Sequence, residues 1–231
     1  MATQYAFGQI VTSGLVLCLN AGDRNSYPGG GIPWIDLSGN GNNGSLTNGP
    51  SFSTANGGSI VLDGIDDWIN LLNFGNYTTS NFTFSYWIYP NSLTTNQPGQ
   101  GPVILFKGQF SQVGYYDQIA TDGTIVFVTN QPGSYQFSTT NPGLITTGRW
   151  FNISYTRNGT SIRIYLNGID VTQTAGTHSN PTNSTELFAI GKYTNFIWGN
   201  FRIASLLSYN RALSATEILQ NYNATKTRFG L

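Results

Sequence analysis

Asn81-Phe82-Thr83-Phe84-Ser85-Tyr86-Trp87-Ile88-Tyr89-Pro90 decides the fold class. Successive side chains of an extended chain point to opposite faces. Phe82, Phe84, Tyr86 and Ile88 therefore share one side, and Thr83, Ser85, Trp87 and Tyr89 share the other. The first set predicts a core face. Trp87 and Tyr89 predict that the second face is also covered or interacting, with packing beneath a loop the simpler account. Pro90 closes the strand, because it has no N–H to give to a ladder.

Outward from this stretch the same period recurs. Downstream, short strands are expected at 102–107, 113–120, 124–129 and 134–138, separated by Gly, Asp-Gly and Pro-Gly turns. Trp150–Thr156 alternates again, Asn158-Gly159 turns the chain into Ser161–Leu166, and Asn167-Gly168 turns it into Ile169–Thr172, a three-strand meander. Further strands are expected at 186–192 and 200–208. Upstream, Gly14–Asn20 is a compact apolar run and Ser59-Ile60-Val61-Leu62 a β-branched one. Between them, Ala21–Pro50 reads as an ordered polar loop, its Gly and Asn residues supplying tight turns and Trp34-Ile35-Asp36-Leu37 pinning it to the core. Near the C-terminus, Ser214 with Glu217 forms a capping box ahead of Ile218, Leu219 and Tyr222, which predicts one short helix over 213–222. Arg228-Phe229-Gly230-Leu231 is expected to dock on a neighbouring molecule. The sum is an all-β, two-sheet antiparallel β-sandwich (a jelly roll) with one short C-terminal helix. It is read as one domain spanning 1–231, with its core at about 14–223.

Composition narrows function. Ten basic and ten acidic residues in 231 give a formal net charge of +0, and no basic stripe is present to bind nucleic acid. Asn, Thr, Ser, Gln and Gly must supply the surface polarity. No run of about 18 apolar residues is available to span a membrane. Met1-Ala2-Thr3-Gln4-Tyr5 lacks the basic and apolar regions of a signal peptide, so none is expected. Cys18 is the sole cysteine, which excludes an internal disulfide; between Leu17 and Leu19 it reads as a small buried apolar residue. Asn-x-Ser/Thr sequons at Asn43, Asn76, Asn81, Asn152, Asn158, Asn183 and Asn223 follow from an Asn-, Ser- and Thr-rich chain and signal no glycosylation.

Enzymatic groups are sparse. Glycosidases need a carboxylate pair across a cleft, yet Glu186 and Glu217 are the only glutamates and no strand carries an alternating acidic set. His178, the sole histidine, lies in a polar loop and is expected to be solvated. Asp63, Asp66 and Asp67 concentrate three carboxylates at the turn between Leu62 and Trp68. They can cap turns by accepting backbone N–H bonds, or ligate a hard cation such as calcium. The turn reading leads, because Asp is common in β-turns.

Trp34-Ile35-Asp36-Leu37-Ser38-Gly39-Asn40-Gly41-Asn42-Asn43-Gly44 is followed by Leu62-Asp63-Gly64-Ile65-Asp66-Asp67-Trp68-Ile69. Phe82–Ile88, Gly148-Arg149-Trp150-Phe151, Tyr165-Leu166-Asn167-Gly168 and Tyr209-Asn210-Arg211-Ala212-Leu213-Ser214 come next. In this order and spacing the chain resembles the laminin-G-like, concanavalin A-like jelly-roll family over about residues 14–223. Gly14-Leu15-Val16-Leu17 with Tyr27-Pro28-Gly29 looks most like the versions found in virion proteins of tailed phages and environmental viruses.

The resemblance implies a jelly roll that binds glycans or other surfaces, often with calcium at a sheet edge and often without enzymatic activity. One departure is Ala204-Ser205, where family members carry an acidic pair, and it puts the calcium in doubt. The expectation is a non-enzymatic virion surface protein that decorates a capsid. It would have no cofactor unless calcium, virion proteins as partners, and a multicopy or homo-oligomeric assembly. The alternative is a lectin-like, glycan-binding receptor module of a phage tail or fibre, or a free lectin. For sugars, the candidate residues are the aromatics Tyr115, Tyr116, Tyr135, Tyr193, Phe196 and Trp198, taken as exposed. The competing account of each is packing under a loop.

Overall fold

A computed structural model describes residues 9–77, 81–193 and 197–231. The first half of the chain forms Leu15–Asn20 (β1), Pro33–Trp34 (β2), Gly44–Thr47 (β3), Ser51–Ser53 (β4), Ser59–Asp63 (β5), Trp68–Leu71 (β6), Phe82–Pro90 (β7), Val103–Gln109 (β8) and Val113–Ile119 (β9). The second half forms Ile125–Gln131 (β10), Ser134–Thr139 (β11), Phe151–Asn158 (β12), Ser161–Leu166 (β13), Ile169–Asp170 (β14), Phe188–Ile190 (β15), Lys192–Tyr193 (β16), Ile197–Trp198 (β17) and Asn200–Tyr209 (β18). The helix Ala215–Thr225 (α1) and a 3₁₀ turn at Lys226–Phe229 complete it.

These strands make two eight-stranded antiparallel sheets, the sandwich that the alternation predicts. The first runs β14-β13-β12-β7-β18-β5-β4, with β1 also on β18; the second runs β11-β10-β9-β8-β15-β6-β3-β2. β7 sits between β12 and β18, so its backbone is paired along both edges. Phe82, Phe84, Tyr86 and Ile88 are fully buried on its inner face, against Tyr115, Phe127 and Phe188 of the second sheet. Burial of each such side chain is worth about 1.5–3 kcal/mol, and this ring cluster is the core.

One polar tie crosses that core. Asp117 on β9 is almost completely buried; it accepts the Tyr86 hydroxyl from the opposite sheet and the Leu105 N–H at 2.6 Å. Burial pushes its carboxyl up to about 7, against the pull of those donors.

Several details differ from expectation. His178 is buried, not solvated: Nδ1 pairs with Thr129 Oγ1 at 3.0 Å and Nε2 with Ser138 Oγ at 2.9 Å. Burial, then the charge of Arg157, holds its pKa down to about 4. The C-terminal tail docks on its own sandwich rather than on a neighbour. Phe229 stacks on Trp87 at 4.1 Å and on Trp150 at 4.7 Å, while Arg228 reaches Asn56 O and Asn20 Oδ1 at 2.7 Å each. Trp87 is thus covered, by α1 and the tail rather than by a loop, and its Nε1 donates to Thr225 Oγ1 at 2.9 Å.

The Ala21–Pro50 loop contains β2 and β3, with Trp34 fully buried. Asp36 organises it, its two carboxylate oxygens accepting from Cys18 N, Ser38 N, Ser38 Oγ and Asn42 N. Cys18 is half-buried on the outer face opposite Leu207, and burial raises its thiol to about 12. The strand expected at 186–192 breaks at Gly191, where φ is 82° and a Cβ would lie 2.2 Å from Leu62 Cδ1, so β16 turns away. The helix runs 215–225, with the Ser214/Glu217 capping box formed. Among the described residues, no helix is long and apolar enough to cross a membrane.

The two buried titratable groups give opposed pH dependences. Asp117, raised in the fold, contributes stability present below about pH 4 and lost as pH rises through about 7. His178, depressed in the fold, contributes stability present above about pH 6.5 and lost as pH falls towards 4. Thermal denaturation across pH 4–7 should therefore be flatter for the native chain than for either variant. Asp117→Asn should gain stability with rising pH and His178→Gln should lose it, each by a few kcal/mol across the window, at about 1.4 kcal/mol per pKa unit. Equal slopes in all three would contradict these assignments. Separately, Phe229→Ala should lower unfolding free energy by about 3 kcal/mol and reduce the near-ultraviolet dichroism of the tryptophans; an unchanged denaturant midpoint would mean that the tail does not hold the first sheet.

Candidate functional site

The second sheet carries an aromatic face that is exposed at one end. On β9, Tyr115 and Asp117 point into the sandwich, so Tyr116 points out. The register sets Tyr116 opposite Phe106 on β8 and Val128 on β10, and Val128 opposite Phe137 on β11. Tyr135 lies two residues before Phe137 on that same face. Over them lies Tyr193 from the β16–β17 ribbon, its ring 4.9 Å from Phe106, 5.2 Å from Tyr116 and 6.2 Å from Phe110. Phe110 continues to Tyr135 at 5.9 Å, and Tyr135 to Phe137 at 6.3 Å. Phe110, Tyr135 and Phe137 are 46%, 51% and 45% exposed, so the outer end of this row is a true surface.

At the other end, Lys192 lies with its Nζ 4.2 Å from the Trp68 ring centre and 5.2 Å from that of Trp198. Such cation–π contacts fix both indoles, and burial lowers the Lys192 pKa despite the pull of Glu186. Amides flank the rings: Gln118 gives its Nε2 to Gly101 O at 3.0 Å, and Asn70 gives its Nδ2 to Thr47 Oγ1 at 3.0 Å. An extended row of ring faces edged by amides suits the C–H faces and hydroxyls of a sugar chain.

Of the six sequence candidates, Tyr116, Tyr135, Tyr193 and Trp198 come together on this face, and Phe196 lies outside the described residues. Tyr115 does not join them. It is buried in the core, stacked on Phe82 and Phe127, with its hydroxyl donated to Gly75 O at 2.8 Å. Tyr116 is nearly buried beneath Tyr193 and supports the surface rather than forming it. The sequence reading missed Phe106, Phe110, Phe137, Trp68 and Lys192. The strand alternation at Tyr135 and Phe137 was the available signal for one of them.

Asp63, Asp66 and Asp67 converge at the rim, where β5 of one sheet passes to β6 of the other, with a ligand oxygen from each within 4.8 Å of the others. Two of them cap the turn: Asp63 Oδ1 accepts from Ile65 N at 2.8 Å, and Asp67 Oδ2 from Asp63 N at 3.2 Å. Burial and the neighbouring Asp63 charge raise the Asp67 pKa, with Asp66 adding to the push. The free oxygens are hard donors of the kind calcium takes, and a calcium held there would need backbone carbonyls or waters to reach its six to eight ligands. The register sets Asn200 of β18 opposite Asp63, so Ala204 and Ser205 lie several residues further along and do not border this cluster.

A family model described as "Concanavalin A-like lectin/glucanases superfamily" (Laminin_G_3) matches residues 63–219. No curated protein sequence matches the chain. Among solved structures, the chain is similar to the binding domain of Paraclostridial Mosquitocidal Protein 1, at 19% identity and TM-score 0.72, over 91% of this chain and 52% of that one. It is similar to domain 4 of AbnA, a GH43 extracellular arabinanase from Geobacillus stearothermophilus solved with arabinotriose, at 19% identity and TM-score 0.64, over 90% and 98%. It is also similar to the botulinum neurotoxin serotype D binding domain, at 17% identity and TM-score 0.70, over 92% and 52%. The chain thus spans about half the length of the toxin binding domains, and at these identities the likeness is one of fold.

Turn capping and cation binding at the acidic turn separate experimentally. In EDTA, Asp67→Ala should lose about 1 kcal/mol of stability with its N–H bond. Unchanged stability in EDTA, with a loss only in calcium, would assign the carboxylates to a cation instead.

Proposed function

The chain belongs to the concanavalin A-like lectin/glucanases superfamily, and from that premise we propose that it is a non-enzymatic, lectin-like module that binds glycans on the aromatic outer face of its second sheet. The observation that carries the reading is the unbroken row Phe137–Tyr135–Phe110–Tyr193, open to solvent at one end and braced by Phe106 and Tyr116 beneath. Contiguous exposed apolar surface of this kind marks a binding site in a protein that must stay dissolved. Flat rings can stack on pyranose or furanose faces at low entropic cost, since each has only two side-chain torsions to fix. The AbnA domain, solved with arabinotriose, supports a saccharide ligand for this fold.

A catalytic alternative finds little to work with. Glu217 is held by Arg211 and by its capping box with Ser214, which together pull its carboxyl down to about 2. Asp117 is sealed in the core. Neither has a carboxylate partner across a cleft. The setting we propose is a virion surface, as the Gly14–Leu17 and Tyr27–Gly29 resemblance suggests, with many copies presenting this face outward. Counting copies in purified particles by mass spectrometry tests that setting, and its absence from particles would remove it.

The binding itself is tested on an oligosaccharide array that includes arabino-oligosaccharides. Native protein should retain at least one neutral oligosaccharide class. Tyr135→Ala and Phe137→Ala, both at exposed positions and expected to keep the native melting temperature, should each weaken retention about tenfold. No retained saccharide, or equal retention by the variants, would overturn the reading.

A further inference from the structure

On the opposite side of the molecule, a groove of about 580 Å³ opens where the tail crosses the first sheet. The end of β7 (Tyr89), Trp150 just before β12 and Phe229 of the tail form its aromatic wall, with Tyr89 5.5 Å from Trp150. Gly143–Arg149 and the β13–β14 turn at Asn167 form its rims. This volume is in the range of small-molecule sites, and the groove is separate from the aromatic face of the second sheet.

Its polar groups are one-sided. Arg149 is exposed, with its guanidinium 4.8 Å over the Phe151 ring. Ion pairs among the described residues are Arg163–Asp170 and Arg211–Glu217, so no carboxylate neutralises Arg149. Arg202, 4.9 Å from the Tyr89 ring centre, braces that ring but does not line the groove, so Arg149 is the one lining cation among the described residues. Asn167 spends its Oδ1 on Asn152 N at 2.9 Å, which leaves its Nδ2 as the group on offer. Asn56 is already committed, accepting from Trp150 Nε1 at 3.1 Å. Among the described residues, no acidic side chain lines the groove. The site therefore offers donors and positive charge beside rings, and few acceptors.

We propose that this groove is a second saccharide site, selective for a sugar that bears a carboxylate. The sugar ring would lie along Tyr89 and the edge of Trp150, with the carboxylate on the Arg149 fork, which matches that geometry by two parallel N–H···O bonds. The proposal rests on the saccharide-binding reading for its ligand class and on Arg149 for its charge selectivity. Two faces with different preferences would let one module bridge a neutral and an acidic glycan.

The test is isothermal titration with trigalacturonate, with its fully methyl-esterified form as the neutral match and sodium acetate as the bare anion. Native protein should bind the acid at least tenfold more tightly than the ester, and more weakly as salt rises. Arg149→Gln, at an exposed position, should abolish that difference with the melting temperature unchanged. Tyr89→Ala should weaken both forms, and Tyr135→Ala on the other face should alter neither. Equal affinity for acid and ester, an Arg149→Gln variant that still discriminates, binding as strong for acetate, or no binding of trigalacturonate would each overturn the acidic site. None of these results would touch the neutral-glycan reading, which fails separately if the array and the Tyr135 variant show nothing.

Discussion

Everything in this molecule hangs on a strand buried on both faces. β7 is paired along both edges, its inner side chains fill the space between the sheets, and its outer side chains are themselves covered. A strand in that position leaves no room for solvent-facing polarity, so Thr83 and Ser85 must find partners. Thr83 Oγ1 donates to Arg211 O at 2.8 Å, and Ser85 Oγ accepts from Ser154 Oγ at 2.8 Å. The demand to cover Trp87 is met by the C-terminal segment, whose Phe229 and Tyr222 both stack on it. The outer face of the first sheet is therefore largely closed by the chain's own end. Among the described residues, the second sheet has no such cover beyond the small β16–β17 ribbon, and its outer face is where exposed rings accumulate. That asymmetry between two similar sheets locates the proposed recognition surface.

The fold was legible because its signals are local. Period-two alternation in Phe82–Pro90, two Asn-Gly hairpins and a Ser214/Glu217 capping box each act within a few residues, and the structure follows them to within a few positions. Contacts between distant segments were not legible. His178 sits in a polar stretch, but its partners Thr129 and Ser138 lie 49 and 40 residues away. The tail looked unattached because Asn20, Asn56 and Trp87 are far off in sequence.

The candidate site was half legible for a related reason. Tyr115 and Tyr116 are adjacent on one strand and so must face opposite ways, which composition alone ignores. Which of them faces inward follows from the register that carries Asp117 to Tyr86 of the other sheet. The rings of Phe106, Phe110 and Trp68 became neighbours of Tyr193 and Lys192 only through pairing across β8, β15 and β6. A chain with 9% charged residues also gives few electrostatic landmarks to read. Three of its cations are placed against rings: Lys192, Arg149 and Arg202.

The central claim is that saccharides bind on the outer face of the second sheet. Aromatic ¹H–¹³C correlation spectra of the labelled protein, recorded during titration with an oligosaccharide that it retains, test this most directly. The account requires the ring signals of Phe110, Tyr135, Phe137 and Tyr193 to move together and saturably, with those of core residues Tyr115 and Phe84 fixed. Saturable shifts that leave these four rings unmoved and fall elsewhere on the molecule would contradict it.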